Sequence, residues 1–211
     1  MNEELSFHHY WDPGVDLKGP TLLLLHGTGG TEHDLVGLGR SLLPGANLLS
    51  PRGQVSENGM ARYFRRLAEG VFDLEDLRVR TADLARFVAG ASNTYGFDPD
   101  RVVAVGFSNG ANIAASLLLS GTKTLAGAVL FHPMVPFEPT PLPDLRGVPV
   151  FVGAGRADPM VPVPLTDRLV ELLTGGGAVV ETLWLPGGHR LTREEIEAAT
   201  AWIQKGEQSW N

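Results

Sequence analysis

Residues Arg101–Leu119 read RVVAVGFSNGANIAASLLL. The β-branched apolar run Arg101 to Val105 has the composition of a short buried strand, and the small-residue segment after Ser108 that of a helix. Gly106-Phe107-Ser108-Asn109-Gly110 is therefore the turn between them. A turn this tight forces its central residue into a strained backbone conformation, with glycines where a Cβ would collide. This is the form of a nucleophile elbow, with Ser108 displayed above the sheet edge. The Asn109 N–H, at the start of the helix, is then an unpaired donor at a positive dipole end, suited to a developing oxyanion. A glycine-capped helix start has the same local sequence, so the rest of the chain has to decide between the two.

Working back toward the N-terminus, Thr21 to Leu25 is an uninterrupted apolar run, as expected of a parallel strand buried on both faces. It empties into His26-Gly27-Thr28-Gly29-Gly30-Thr31, followed by a helix expected over Glu32 to Leu43. A dinucleotide fingerprint would need a third small residue where Glu32 stands. The better reading is an oxyanion loop, in which Thr28 supplies the second backbone N–H beside that of Asn109. His26 is expected to orient this loop by hydrogen bonds rather than to act as a base. Leu5 to Tyr10 is expected to form an edge strand closed by a turn at Asp12-Pro13-Gly14, with His8 and His9 on opposite faces and both structural.

After a strand over Ala46 to Ser50, the stretch from Pro51 to Leu74 has poor periodicity and is expected to be irregular. Within it Met60, Tyr63, Phe64 and Phe72 are candidate pocket walls, with core packing the competing account, and Arg52 is expected to pair with a nearby acid. Asp73, Glu75 and Asp76 open a helix to about Tyr95, where acids suit the first-turn dipole and imply no metal. A strand from Leu125 to Phe131 leads into His132-Pro133-Met134, where His132 and Met134 are further pocket candidates, and then a proline-rich connection too short for a capping domain. Val148 to Ala154 is a strand with Asp158 just beyond its carboxyl end, where α/β proteins place functional groups. A helix from about Pro164 to Leu173 and a last strand over Ala178 to Leu185 precede Pro186-Gly187-Gly188-His189. Thr192 and Glu195 form the capping box of a final helix.

The order Ser108, Asp158, His189 is the order of a hydrolase triad on an open α/β sheet. A serine hydroxyl is a poor nucleophile until a neutral imidazole takes its proton, and a carboxylate fixes that imidazole's tautomer. The chemistry asks for no cofactor and no metal.

Composition bounds the alternatives. The 211 residues fit a single α/β domain spanning 1–211, and 43% hydrophobic with 19% charged residues is the balance of a globular core. With no cysteine, thiolate nucleophiles and disulfides are excluded. A net charge of −7 argues against nucleic acid or an anionic membrane surface as partner. The acidic start MNEELSFHHYWDPG lacks the basic and apolar regions of a signal peptide, and no apolar run approaches the roughly 18 residues of a membrane span, so a cytoplasmic protein is expected.

At these residues the chain resembles the phospholipase/carboxylesterase family of α/β-hydrolases. The resemblance runs from Leu22-Leu23-Leu24-Leu25-His26-Gly27 through Gly106-Phe107-Ser108-Asn109-Gly110 to Gly188-His189. HGTGGTEHDL, Glu57-Asn58-Gly59-Met60, GFSNGANIAASLL and HPMVP are similar to a bacterial branch linked to hydroquinone resistance. The resemblance implies an α/β-hydrolase fold with a mainly parallel sheet, helices on both faces and no lid domain. It also implies Ser108, Asp158 and His189 as triad, the Thr28 and Asn109 amides as oxyanion hole, small to medium carboxylic esters as substrates and a homodimer as the assembly. Thioesterase and lysophospholipase activity occur in the same family, whose thioesterases commonly carry glutamine where this chain has Asn109. A non-catalytic ligand-binding protein on the same fold is the alternative from another class, and such proteins usually lack a triad member.

Overall fold

The computed structural model describes residues 5–206. Among these described residues eleven strands and five α-helices follow one another, beginning with β1 (His9–Asp12), β2 (Thr21–Leu25), α1 (Val36–Leu42) and β3 (Asn47–Pro51). Two small hairpins come next, β4 (Val55–Glu57) with β5 (Met60–Arg62) and β6 (Arg66–Ala68) with β7 (Val71–Phe72). The chain continues through α2 (Leu74–Tyr95), β8 (Val102–Phe107), α3 (Asn109–Leu119), β9 (Gly127–Phe131), β10 (Pro149–Gly155), α4 (Val163–Gly175), β11 (Val179–Leu185) and α5 (Arg193–Gly206). Seven strands form one sheet in the order β1-β3-β2-β8-β9-β10-β11, parallel except where β1 runs against β3.

Alternation along the central strands explains the layering. Val103 and Val105 of β8 pack with Leu22 and Leu24 of β2 against Leu42 of α1 and Ile203 of α5. Val102, Ala104, Leu23 and Leu25 point the other way, into a larger core with Leu84 of α2, Ile113 of α3 and Leu169 of α4. Successive residues serve opposite faces, which is why these strands read as continuous apolar runs. This is an α/β-hydrolase architecture with helices on both faces. Between β9 and β10 the chain forms no helix or strand, so no lid is inserted there.

Several expected boundaries move. The first strand is His9–Asp12, not Leu5–Tyr10, because its ladder with β3 runs from His9 opposite Pro51 to Asp12 opposite Leu48. Phe7 instead turns into the core, and the expected turn loses Asp12 to the strand. The helix expected from Glu32 starts at Val36. Glu32 is drawn into an ion pair with Arg52 and contacts with the His8 and His33 rings, and Thr31 and Asp34 close a turn in front of the helix.

The stretch expected to be irregular holds both hairpins. Asn58 and Gly59, with φ of 52° and 81°, form the two-residue loop joining Glu57 to Met60. Two successive positive φ values are what an Asn-Gly hairpin turn requires, and that dipeptide was legible in the sequence. Among the described residues no helix is long and apolar enough to cross a membrane.

Candidate active site

The carboxyl ends of β2, β8 and β10 and the loop after β11 converge on one edge of the sheet. Ser108 sits there at φ 52° and ψ −115°, a conformation non-glycine residues rarely adopt. Its own N–H donates to the Phe131 carbonyl at 2.9 Å and its carbonyl accepts from the Asn112 N–H at 2.9 Å, so the elbow is held by β9 and by α3. A Cβ on Gly106 would stand 2.6 Å from the Gly110 carbonyl oxygen, and one on Gly110 would strike the Leu25 carbonyl. The second glycine thus lets the start of α3 press against the end of β2, from which the His26–Thr31 loop departs. Two segments far apart in sequence are brought together by the absence of one methyl group.

His189 Nε2 lies 2.8 Å from Ser108 Oγ, and His189 Nδ1 lies 2.7 Å from Asp158 Oδ2. An ionised carboxylate only accepts, so Nδ1 carries the proton and Nε2 presents its lone pair to the serine hydroxyl. Asp158 Oδ1 accepts the Met160 and Val161 backbone N–H groups at 2.8 and 3.0 Å. Burial alone would raise the Asp158 pKa, but the His189 contact and these two amides outweigh it and hold the carboxyl below its ordinary value. The three residues expected to act together are thus joined in one hydrogen-bonded chain.

The facing loop is fixed from several sides. The Gly29 N–H donates to the Ala61 carbonyl at 2.9 Å, and Gly30 to Gly27 at 3.1 Å, bracketing Thr28. Arg62 Nη1 donates to Thr28 Oγ1 at 2.7 Å, and Asn109 Oδ1 accepts the Tyr63 N–H at 2.8 Å. His26 is buried, as its expected orienting role requires. Its Nε2 accepts the Gly53 N–H at 3.0 Å and its Nδ1 donates to the Gly27 carbonyl at 2.7 Å. Burial lowers its pKa, keeping the ring neutral and this pattern intact. Arg62 and Tyr63 were missed as supports of this loop because their hairpin was read as irregular.

Ser108, His189, Thr28, Asn109 and Met134 line a narrow cleft of about 40 Å³. A larger groove of about 570 Å³ lies at the other end of α3, between Leu118, Lys123 and Arg146, and touches none of these groups. Of the expected pocket walls, Met134 and Phe72 do line the cleft. Phe64 and Tyr63 do not: both are buried in the core, Phe64 edge-on to the Phe72 ring. Met60 is exposed and lies against Gly29 on the outer side of the loop. His132 is also displaced from the wall, fully buried behind the cleft with its ring against Asp158.

Elsewhere, Arg52 pairs with an acid as expected, reaching both Glu32 oxygens at 2.5 and 2.9 Å. His9 bonds Tyr95 Oη and the Phe7 carbonyl, both at 2.6 Å. Asp73 caps α2 through the Asp76 N–H. One group of described residues has the spacing of a metal site, His132, Asp158 and His189, with ligand atoms within 4.8 Å of one another. Both ring Nδ1 atoms already meet the same Asp158 oxygen, so its members satisfy each other.

Comparison with known proteins agrees with this geometry. Residues 14–206 match the family model described as Phospholipase/Carboxylesterase. The chain is 53% identical over 197 residues to the "Putative hydrolase MhqD" of Bacillus subtilis, covering 93% of this chain and 98% of that protein. The Bacillus cereus carboxylesterase superposes with a TM-score of 0.93 at 48% identity, over 95% of this chain and 94% of that one. A structure of YahD with malic acid follows at 0.90 and 32%, covering 94% and 98% of the two chains. An elbow serine, a histidine and an aspartate joined at the carboxyl edge of such a sheet, and relatives aligned end to end, place this chain in the phospholipase/carboxylesterase family of α/β-hydrolases.

Proposed function

We propose that the protein is a serine carboxylesterase that hydrolyses small to medium carboxylic esters through an acyl-enzyme on Ser108. The observation that carries this reading is the unbroken chain Ser108 Oγ to His189 Nε2 to Asp158 Oδ2, with contacts of 2.8 and 2.7 Å, opening on a cleft that Thr28 and Asn109 also line. His189 takes the serine proton as Oγ attacks the ester carbonyl, and Asp158 stabilises the imidazolium that forms. Negative charge then grows on the carbonyl oxygen. The backbone N–H groups of Asn109, first residue of α3, and of Thr28 are the donors for it, pre-oriented so that little reorganisation is needed. His189 returns the proton to the departing alcohol, and water attacks the acyl-enzyme by the same route in reverse.

A cleft this narrow favours short acyl groups. The test is turnover of p-nitrophenyl acetate, butyrate and octanoate by the wild type and by Ser108→Ala. The reading expects kcat to fall by roughly 10⁴ to 10⁶ in the variant and kcat/KM to decline with acyl length. Thioesterase action uses the same machinery and is the better description if matched thioesters are turned over with the higher kcat/KM.

A further inference from the structure

Behind the cleft, the hydrogen-bonded chain does not stop at Asp158. His132, 1% exposed, places Nδ1 3.1 Å from the same Asp158 oxygen that meets His189. Its Nε2 lies 3.1 Å from Glu195 Oε1 on α5, an ion-pair contact off the ideal hydrogen-bond line. Asp158, Glu195 and His189 are the titratable groups that face this ring, the His189 ring at 5.2 Å between centroids, and the Phe107 ring stands edge-on at 5.7 Å. His132 is also held at φ 51°, its N–H donating to the Gly153 carbonyl at 2.7 Å. A Cβ on Gly153 would lie 3.2 Å from Glu195 Oε1, so the strand leaves room for that carboxylate. A left-handed backbone at a buried ring is strain that the surrounding structure has to over-determine.

We infer that His132 is held as an imidazolium between Asp158 and Glu195, where it acts as a positioning residue that fixes Asp158 and offsets part of that carboxylate's pull on the His189 proton. A neutral imidazole has one N–H and one lone pair, so between two carboxylates it would turn the lone pair against an anion. Both carboxyls are held below their ordinary pKa values and so in the ionised form. Asp158 already accepts from Met160, Val161 and His189. Glu195 Oε2 accepts from the Thr192 N–H and hydroxyl at 2.8 and 2.9 Å, so the capping box of α5 also anchors this cluster. Burial by itself would strip the proton from His132, but the Glu195 and Asp158 carboxylates outweigh it and the pKa stands above the ordinary histidine value. With the imidazolium in place the two carboxylates carry one net negative charge beside His189 rather than two. The base is then held less tightly in its protonated, inactive form.

The charge assignment stands by itself, whereas its effect on His189 rests on the esterase reading. Nitrogen-15 NMR of the intact wild-type protein tests the first. Both ring nitrogens of His132 are expected to be protonated at pH near 7, where an ordinary histidine is mostly neutral. A single protonated nitrogen at pH near 7 would overturn the assignment. Kinetics of His132→Asn test the second, because the amide keeps a donor toward Asp158 while the charge is gone. The acid limb of kcat/KM is expected to move up by about two pH units, the size of a unit charge removed at a ring spacing of 5.2 Å in a medium of effective dielectric near 20. A fall in kcat with the acid limb unmoved would reduce His132 to packing and overturn the second half. Should the variant not fold, the wild-type spectrum still decides the first half. Should Ser108→Ala retain activity, the esterase reading fails while the spectrum still judges the charge.

Discussion

Arg62 Nη1 donates to Thr28 Oγ1 at 2.7 Å, tying the first hairpin to the loop that faces the serine. Arg62 is buried; it also donates to the Phe64 carbonyl at 3.2 Å, lies over the Phe64 ring and pairs with Glu57 at 3.1 Å. Burial and the neighbouring Arg66 both act against its charge, so loss of an acceptor is felt strongly. Thr28→Val keeps the backbone N–H and removes the acceptor. We expect kcat to fall about tenfold or more with KM little changed, the size of a hydrogen bond to a charged group. Steady-state kinetics on p-nitrophenyl acetate check this, and a change confined to KM would argue that Arg62 serves ground-state binding instead.

Gly110 is the contact on which the meeting of the two loops depends. A Cβ there would strike the Leu25 and His26 carbonyls, backbone atoms with no room to retreat. Gly110→Ala should therefore destabilise by about 3 kcal/mol or more, at or beyond the upper end of ordinary overpacking. Urea unfolding measures it. A loss under about 1 kcal/mol would mean that α3 can slide away from β2 at little cost.

How much of this was legible in the sequence follows from range. The elbow, the strand runs and the order Ser108, Asp158, His189 are short-range patterns or chain order, and they were readable. The first hairpin was missed although Asn58-Gly59 signals its turn, because its strands span only three residues each and give no period to detect. The placement of Phe64 in the core and of Met60 outside the loop depends on which way that hairpin faces, and no local pattern encodes it. His132 was singled out by its position at a strand end, yet its partners come from the loop after β10 and from α5, 26 and 63 residues further on. Glu195 was legible as a cap, but its second oxygen was not, since capping uses only one.

Acid stability should carry the signature of Glu32. Arg52 above all, against the opposing effect of burial, brings its pKa from 4.5 down to about 2. A carboxylate whose folded pKa is depressed stabilises the fold fully above its unfolded value, and that contribution is lost as pH falls from about 4.5 through about 2. Thermal unfolding of the wild type and of Glu32→Gln should thus differ at neutral pH and converge toward pH 2. A difference independent of pH would assign the effect to packing. Arg52 is partly exposed, so salt should shrink the gap at neutral pH.

On the acid side of its profile the enzyme should lose kcat/KM as His189 takes up a proton, because an imidazolium has no lone pair for the serine hydroxyl. Rates measured over a pH series in one buffer system check this. A profile flat on the acid side down to the onset of unfolding would remove His189 as base.

The central claim is that Ser108 is made nucleophilic by His189, and labelling by a fluorophosphonate reads it most directly. Intact-mass measurement should find one adduct per chain on the wild type, mapped to the peptide containing Ser108, with none on folded Ser108→Ala and slow labelling of His189→Ala. An unlabelled, correctly folded wild-type protein, or an adduct that persists in Ser108→Ala, would contradict it.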